Sequence, residues 1–210
     1  MTANLAHNSF SAEPIDPDPW YLQPSTNIES DHPEIVDRAQ KITAASRNDL
    51  EKALAIFYFV LDHMKYALNS PSRNSGALTA LRSKSGVCED YAALFVALCR
   101  ASGVPARQVN GYADPKGSGK IWNLAPGETF ALRGYRHSWA EFYIKGLGWL
   151  PADPTMNNHS GHLKYFASLP RASHLAQNYL DQSLRLRYQG GQLVLTWEER
   201  LVGPYEGKIH

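Results

Sequence analysis

The sequence predicts an α+β fold, with helices first, strands afterwards, and an antiparallel sheet packed against a helix. Three observations carry this. Apolar residues recur at helical spacing up to Ala101, and from Ala106 the period shifts toward the alternation of strands. The change falls at Gly103 and Pro105, the expected stop signals of a helix.

Residues 1–33 hold five of the thirteen prolines, at positions 14, 17, 19, 24 and 33. Proline lacks an amide donor and is rigid in φ, so this stretch reads as an extended arm, with Trp20, Tyr21 and Leu22 pinning it to the core. Asp31-His32-Pro33-Glu34 marks a helix start, with the cap at Asp31 or His32, and the helix should run to about Ala45. Asn48 or Asp49 caps a second helix whose apolar positions are Leu54, Phe57, Val60 and Leu61; it should end near Tyr66. Ser70–Gly76 is rich in turn residues, and a short helical piece follows around Ala77–Leu81. After Ser85-Gly86-Val87, Cys88 opens an apolar helix that runs to Ala101.

Beyond the stop, Arg107–Tyr112 reads as a strand. A long segment from Ala113 to Arg136 is rich in glycine and turn residues. Ser138–Ile144 alternates as a strand, Lys145–Gly148 turns it, and Trp149–Asp153 begins a third. Ser183–Tyr188 and Gln192–Glu198, joined at Gly190-Gly191, suggest a C-terminal hairpin over about 183–198. No internal repeat is visible, and residues 34–210 are expected to form one domain.

At 210 residues, with 43% hydrophobic and 20% charged residues, the chain has ordinary globular usage. A net charge of +1 and the lack of any basic run argue against a nucleic-acid partner. No apolar run reaches the ~18–20 residues of a membrane span. Met1–Phe10 lacks the basic and apolar regions of a secretory signal, which favours a cytoplasmic protein. The two cysteines, Cys88 and Cys99, would sit about 16 Å apart along one helix, too far to form a disulfide. A redox role is disfavoured for the same reason.

Two free thiols leave room for chemistry. A thiol attacks a carbonyl as its thiolate, which a helix N-terminus or a neighbouring imidazole favours. Cys88 opens a helix, where unsatisfied backbone amides could also hold an oxyanion. Alone, a small buried hydrophobe is the blander account of Cys88, and mid-helix Cys99 is read that way. His137 begins the alternating strand and shares a face with Trp139 and Glu141. Asp153 follows sixteen residues later (153 − 137), about the length that brings two antiparallel strands side by side. A carboxylate there would orient the imidazole and stabilise its charged form.

The flanking residues resemble the transglutaminase-like family, whose core is papain-like. The matching stretches are Ser85-Gly86-Val87-Cys88-Glu89-Asp90-Tyr91-Ala92, Cys99 to Arg107, His137-Ser138-Trp139-Ala140-Glu141, and Trp149-Leu150-Pro151-Ala152-Asp153-Pro154-Thr155. They occur in the family's order over roughly residues 50–156. The resemblance implies a catalytic Cys88, His137 and Asp153, with the cysteine at the start of a central helix packed on the antiparallel sheet. It also implies a peptide or protein substrate and a thioester intermediate. Hydrolysis is favoured over glutamine transamidation, and a non-catalytic scaffold is the rival from another class. Tyr66 resembles the aromatic that precedes the catalytic loop, where it could help bind the oxyanion or simply pack. Trp139 follows the histidine and could shield the imidazole, line the cleft or pack. No cofactor is expected. His159 and His162 lack a carboxylate or cysteine at matching spacing, so no metal site is expected either. The 113–136 segment would hang beside the cleft and select substrate, or serve as a surface insertion.

Overall fold

The computed structural model describes residues 16–114, 125, 128–156, 163–170, 173–179 and 200–202. The predicted C-terminal hairpin, His159, His162, residues 1–15 and residues 115–124 lie outside them. Four α-helices precede most of the strands: α1 (Pro33–Thr43), α2 (Asp49–His63), α3 (Ala77–Ser83) and α4 (Cys88–Ala101). The caps are those the sequence marks. His32 accepts the Glu34 amide ahead of Pro33, and Asn48 accepts the Glu51 amide ahead of α2. Helix α2 stops at His63, short of Tyr66. Tyr66 instead belongs to a two-residue strand, β1 (Lys65–Tyr66), paired in parallel with β2 (Ser85–Gly86). That pairing fixes the chain just before Cys88.

Strands β3 (Ala106–Ala113), β5 (Arg136–Ile144), β6 (Gly148–Ala152) and β7 (His174–Tyr179) form an antiparallel sheet in the order β6-β5-β3-β7. Besides β1 and β2, three strands were not expected from the sequence. β4 (Thr129–Ala131) lies inside the segment read as a loop and pairs with β8 (Arg200–Val202), which follows the predicted hairpin. β7 is the third, at an edge of the main sheet. All three are short and depend on partners far along the chain, which local alternation cannot reveal.

Helix α4 is buried nearly throughout, from Cys88 to Arg100 with only Glu89 partly exposed. Its apolar side meets α1, α2 and the sheet face carrying Ala140 and Phe142. Four rings tie these layers together. Phe95 packs against Phe57 and Phe142, and Phe166 lies 5.1 Å from Phe57 and 5.2 Å from Phe142. The helix closes at Ser102, followed by Gly103 at φ +81°, a left-handed position that favours glycine. Cys88 and Cys99 are free and share α4, as their spacing implied.

The arm before α1 is not uniformly extended: Pro19–Leu22 form a 3₁₀ turn. Tyr21 packs edge-on against Trp149 at 4.8 Å, whereas Trp20 and Leu22 are exposed. Buried Arg100 holds the arm to the core, donating to the Gln23 carbonyl at 2.6 Å and to the Ala106 carbonyl at 2.9 Å. No helix among the described residues is long and apolar enough to cross a membrane.

The start of α4 is clamped by Asp90. Its carboxylate accepts the amides of Val87, Asn74 and Ser75 at 2.9, 3.1 and 3.2 Å, joining the turn-rich loop to the helix start. This geometry leaves room only for glycine at position 86, where an added Cβ would lie 2.6 Å from the Asp90 Cβ. Gly86→Ala is therefore expected to destabilise the protein by about 2–3 kcal/mol through overpacking. Gly103→Ala, in open space, should cost only about 1 kcal/mol in backbone strain. Urea denaturation of the two variants tests the ranking, and equal midpoints would refute the clamp.

Candidate active site

Cys88 is the first residue of α4, and the amides of Cys88 and Glu89 lie in its first turn, where no preceding carbonyl of the helix can reach them. His137 lies near the start of β5, directly opposite Gly111 of β3. Asp153 immediately follows β6, whose last paired residue, Ala152, faces Ala140. Continuing that register puts Asp153 opposite Trp139, so it meets His137 along the sheet diagonal rather than head-on.

The structure brings the three predicted residues together. His137 Nε2 lies 2.6 Å from Asp153 Oδ2, and Cys88 is near enough to the ring to favour its charged form. With Nε2 engaged by Asp153, Nδ1 is the nitrogen left for the sulfur. Asp153 is fully buried, and its other oxygen accepts the Thr155 and Met156 amides at 3.0 and 3.1 Å. A buried carboxylate with several donors keeps its charge.

The Cys88 thiol donates to the carboxylate of the next residue. Its Sγ lies 3.1 Å from Glu89 Oε2, a neighbour that the sequence reading did not single out. Cys99, by contrast, is fully buried, and burial pushes its thiol well above the ordinary range despite the charge of Arg100.

Trp139 is 3% exposed and lies nearly parallel to the His137 ring, with centroids 6.2 Å apart. It backs the imidazole and does not line the cleft. Tyr66 is half exposed beside Tyr91. Burial raises its pKa, and the charges of Cys88 and Glu89 add to this. Glu141 is turned to other work, accepting two bonds from Arg107 at 2.7 and 2.9 Å under the Trp149 ring.

One residue of this cluster escaped the sequence reading. His174, at the start of β7, points Nε2 at Asp153 Oδ2 from 2.9 Å. Its position is set by the backbone: β7 runs so close to β3 that a side chain at Gly111 would strike the Leu175 carbonyl. No local motif around His174 announces it. The two histidines and Asp153 present donor atoms within 4.8 Å of one another, a set that could in principle hold a metal. The 2.6 and 2.9 Å spacings are accounted for by N–H donors to the carboxylate. A cleft of about 400 Å³ opens beside His137, with Glu89, Gln108, Asn110, Arg136, Ser138 and Gln177 among its walls.

A helical domain feeding its first-turn cysteine toward a histidine on an antiparallel sheet defines the papain-like thiol architecture. The chain belongs to the transglutaminase-like superfamily, whose family model matches residues 36–154, more than half of its length. It is 32% identical over 157 residues to a protein-glutamine gamma-glutamyltransferase of Pseudomonas aeruginosa, covering 68% of this chain and 22% of that one. It is also 32% identical over 114 residues to the human kyphoscoliosis peptidase, covering 52% of this chain and 16% of that one. Among solved structures, a candidate cysteine protease from Cytophaga hutchinsonii superposes with a TM-score of 0.53 at 25% identity, over 85% of this chain and 63% of the other. The chain thus spans well under half the length of these two curated relatives.

The charges at the site predict a pH dependence of stability. Burial opposes a charge on His137, but the charge and hydrogen bond of Asp153, followed by the bond and charge of Cys88, raise it to about 10. Burial likewise opposes the charge of Asp153, yet His137 and then His174 lower it to about 2. Ordinary values are 6.5 for the histidine and 3.8 for the aspartate. A raised histidine stabilises fully below its unfolded pKa and loses that contribution as pH climbs through the folded one. A lowered carboxylate loses its contribution as pH falls through the folded value. The pair should therefore contribute most between about pH 4 and 6.5 and progressively less toward pH 10. The urea-midpoint difference between wild type and His137→Gln should shrink above about pH 6.5; a difference constant to pH 10 would contradict a held imidazolium.

Proposed function

We propose that the protein is a thiol-dependent acyl-transfer enzyme acting on amide bonds of peptides or proteins, with Cys88 as nucleophile, His137 as base and Asp153 as its orienting partner. The observation that carries the reading is the His137 ring, hydrogen-bonded to the Asp153 carboxylate and near enough to Cys88 for the sulfur to favour its charged form. The Cys88 proton passes to His137, and the thiolate attacks the amide carbon. The amides of Cys88 and Glu89 stabilise the oxyanion. Collapse of the tetrahedral intermediate breaks the C–N bond as His137 gives its proton to the departing amine, leaving a thioester on Cys88. Water then enters, losing a proton to His137, and releases the acid and the free thiol.

Hydrolysis is favoured. The likeness to a candidate cysteine protease supports it, and so does the resemblance to a protein named as a peptidase. Transamidation differs only in the entering nucleophile, an amine in place of water. The resemblance to a gamma-glutamyltransferase favours that second reading.

A peptide library incubated with the protein and read by intact-mass spectrometry should yield a fragment attached to Cys88 as a thioester. Added primary amines distinguish the readings, because a transamidase transfers the fragment to them while a hydrolase releases the acid. Cys88→Ala should abolish turnover, by at least about a thousandfold, and Asp153→Asn should lower it about a hundredfold or more. Activity that persists in Cys88→Ala, with Cys88 no more reactive toward iodoacetamide at pH 6 than a free thiol, would end the enzyme reading.

A further inference from the structure

We propose that His174 is a positioning residue for the same site, a second imidazole that locks the Asp153 carboxylate and keeps it charged against His137. The proposal rests on the nucleophile–base reading above and extends it to a residue outside the stretches that carry the family resemblance.

No solvent reaches the carboxylate of Asp153. Oδ1 is satisfied by the Thr155 and Met156 amides, and these fix one end of the group. Oδ2 faces both histidines, His137 at 2.6 Å and His174 at 2.9 Å. Without His174, Oδ2 keeps one donor in a place where water cannot supply another, and a buried charge with fewer donors is costlier to hold.

The surroundings of His174 prepare it for this single task. Its side chain is 3% exposed. Its Nδ1 lies 2.7 Å from the Ser173 hydroxyl. The Ser173 hydroxyl donates to the Pro170 carbonyl at 2.7 Å, which leaves its oxygen to accept from Nδ1 and holds the ring in place. Nε2, 2.9 Å from a carboxylate oxygen that can only accept, is the nitrogen that donates to Asp153. Trp139 packs edge-on to His174 at 4.9 Å while lying parallel to His137, so one indole sets the tilt of both rings. The Tyr165 ring closes the other side at 6.1 Å, and the Tyr165 carbonyl accepts the Asp153 amide at 2.8 Å. Surface packing alone would not need a serine, a histidine and a buried carboxylate aligned in series.

The consequence for chemistry is a pH limit. Once Asp153 takes up a proton, His137 loses its counter-charge and no longer supports the thiolate. The bond and charge of His174 are among the causes that hold Asp153 low, after burial, which opposes them, and after His137. The titratable groups facing this carboxylate and its partner rings are His137 from β5, Tyr165 from the segment after β6, and Cys88 with Glu89 from α4. Of these groups and His174 itself, His137 and His174 are the ones recorded donating a hydrogen bond to Asp153 among the described residues.

The test measures the rate of Cys88 alkylation by iodoacetamide against pH on the folded full-length chain, followed by intact mass. It needs no knowledge of the substrate. In His174→Phe, which fills the space without a donor, the acid limb should move up by about one pH unit, slowing alkylation about tenfold on that limb. His174→Gln, which keeps an N–H donor, should stay within about threefold of wild type. Should His174→Phe fail to fold, Ser173→Ala carries the same test, with a smaller shift expected in the same direction. A His137-dependent profile that these variants leave unmoved overturns the inference alone. So does an equal slowing at every pH that glutamine fails to relieve. A wild-type profile unaltered by His137→Gln overturns the nucleophile–base reading and the inference with it.

Discussion

The buried carboxylate of Asp153 is the constraint around which the second half of the molecule is arranged. A charge out of reach of solvent must be met by donors on every side, and four are brought to it from three stretches of chain: the Thr155 and Met156 amides, His137 and His174. Meeting that demand requires β6 to end at Ala152, the chain to return so that Phe166 bridges Ala152, and β7 to run against β3. The same return brings the Tyr165 carbonyl to the Asp153 amide and the Phe166 ring to Phe57 and Phe142. The electrostatic site and the aromatic core are therefore held by one segment.

A second buried carboxylate organises the helical half. Asp90 gathers three backbone amides and so ties the loop before α3 to the start of α4. The sulfur of Cys88 sits two residues from it, on a helix whose remaining turns are packed between α1, α2 and the sheet. The arrangement places the first-turn amides of a rigid element beside a ring fixed on another rigid element. Preorganisation of this kind is what acyl transfer requires, because donors already in place need not reorganise as charge develops. Two glycines permit it. Gly86 makes room for Asp90, and Gly111 lets β7 approach closely enough for His174 to reach its partner.

On the proposed reading, a thiol, an imidazole and a sheltered carboxylate leave the fate of a thioester open. The choice between water and an amine is made by what enters the cleft, and its walls are largely polar: Gln108, Asn110, Ser138 and Gln177 face it together with Glu89 and Arg136. Such walls suit a hydrogen-bonding group better than an apolar side chain. The similarity to proteins named for peptidase and for glutamyl-transfer activity is consistent with one scaffold carrying either outcome.

Much of this was legible in the order of residues. Pro33, Asn48 and the Gly103-Val104-Pro105 stop mark helix ends because capping and chain stiffness are local properties; α1 and α2 begin, and α4 ends, where those marks fall. The alternation of Ser138–Ile144 exposed β5 for the same reason. The pairing of Cys88, His137 and Asp153 was readable only through spacing and family likeness, since no local pattern brings a helix start to a strand. The tertiary structure alone decided the rest. β7 and β4 are stabilised by partners distant in the chain. Tyr66 was drawn out of a helix into pairing with Ser85–Gly86. His174 acquired its place because a buried charge elsewhere needed a donor. Hydrogen-bond satisfaction is a demand of the folded interior, and a one-dimensional pattern carries no record of it.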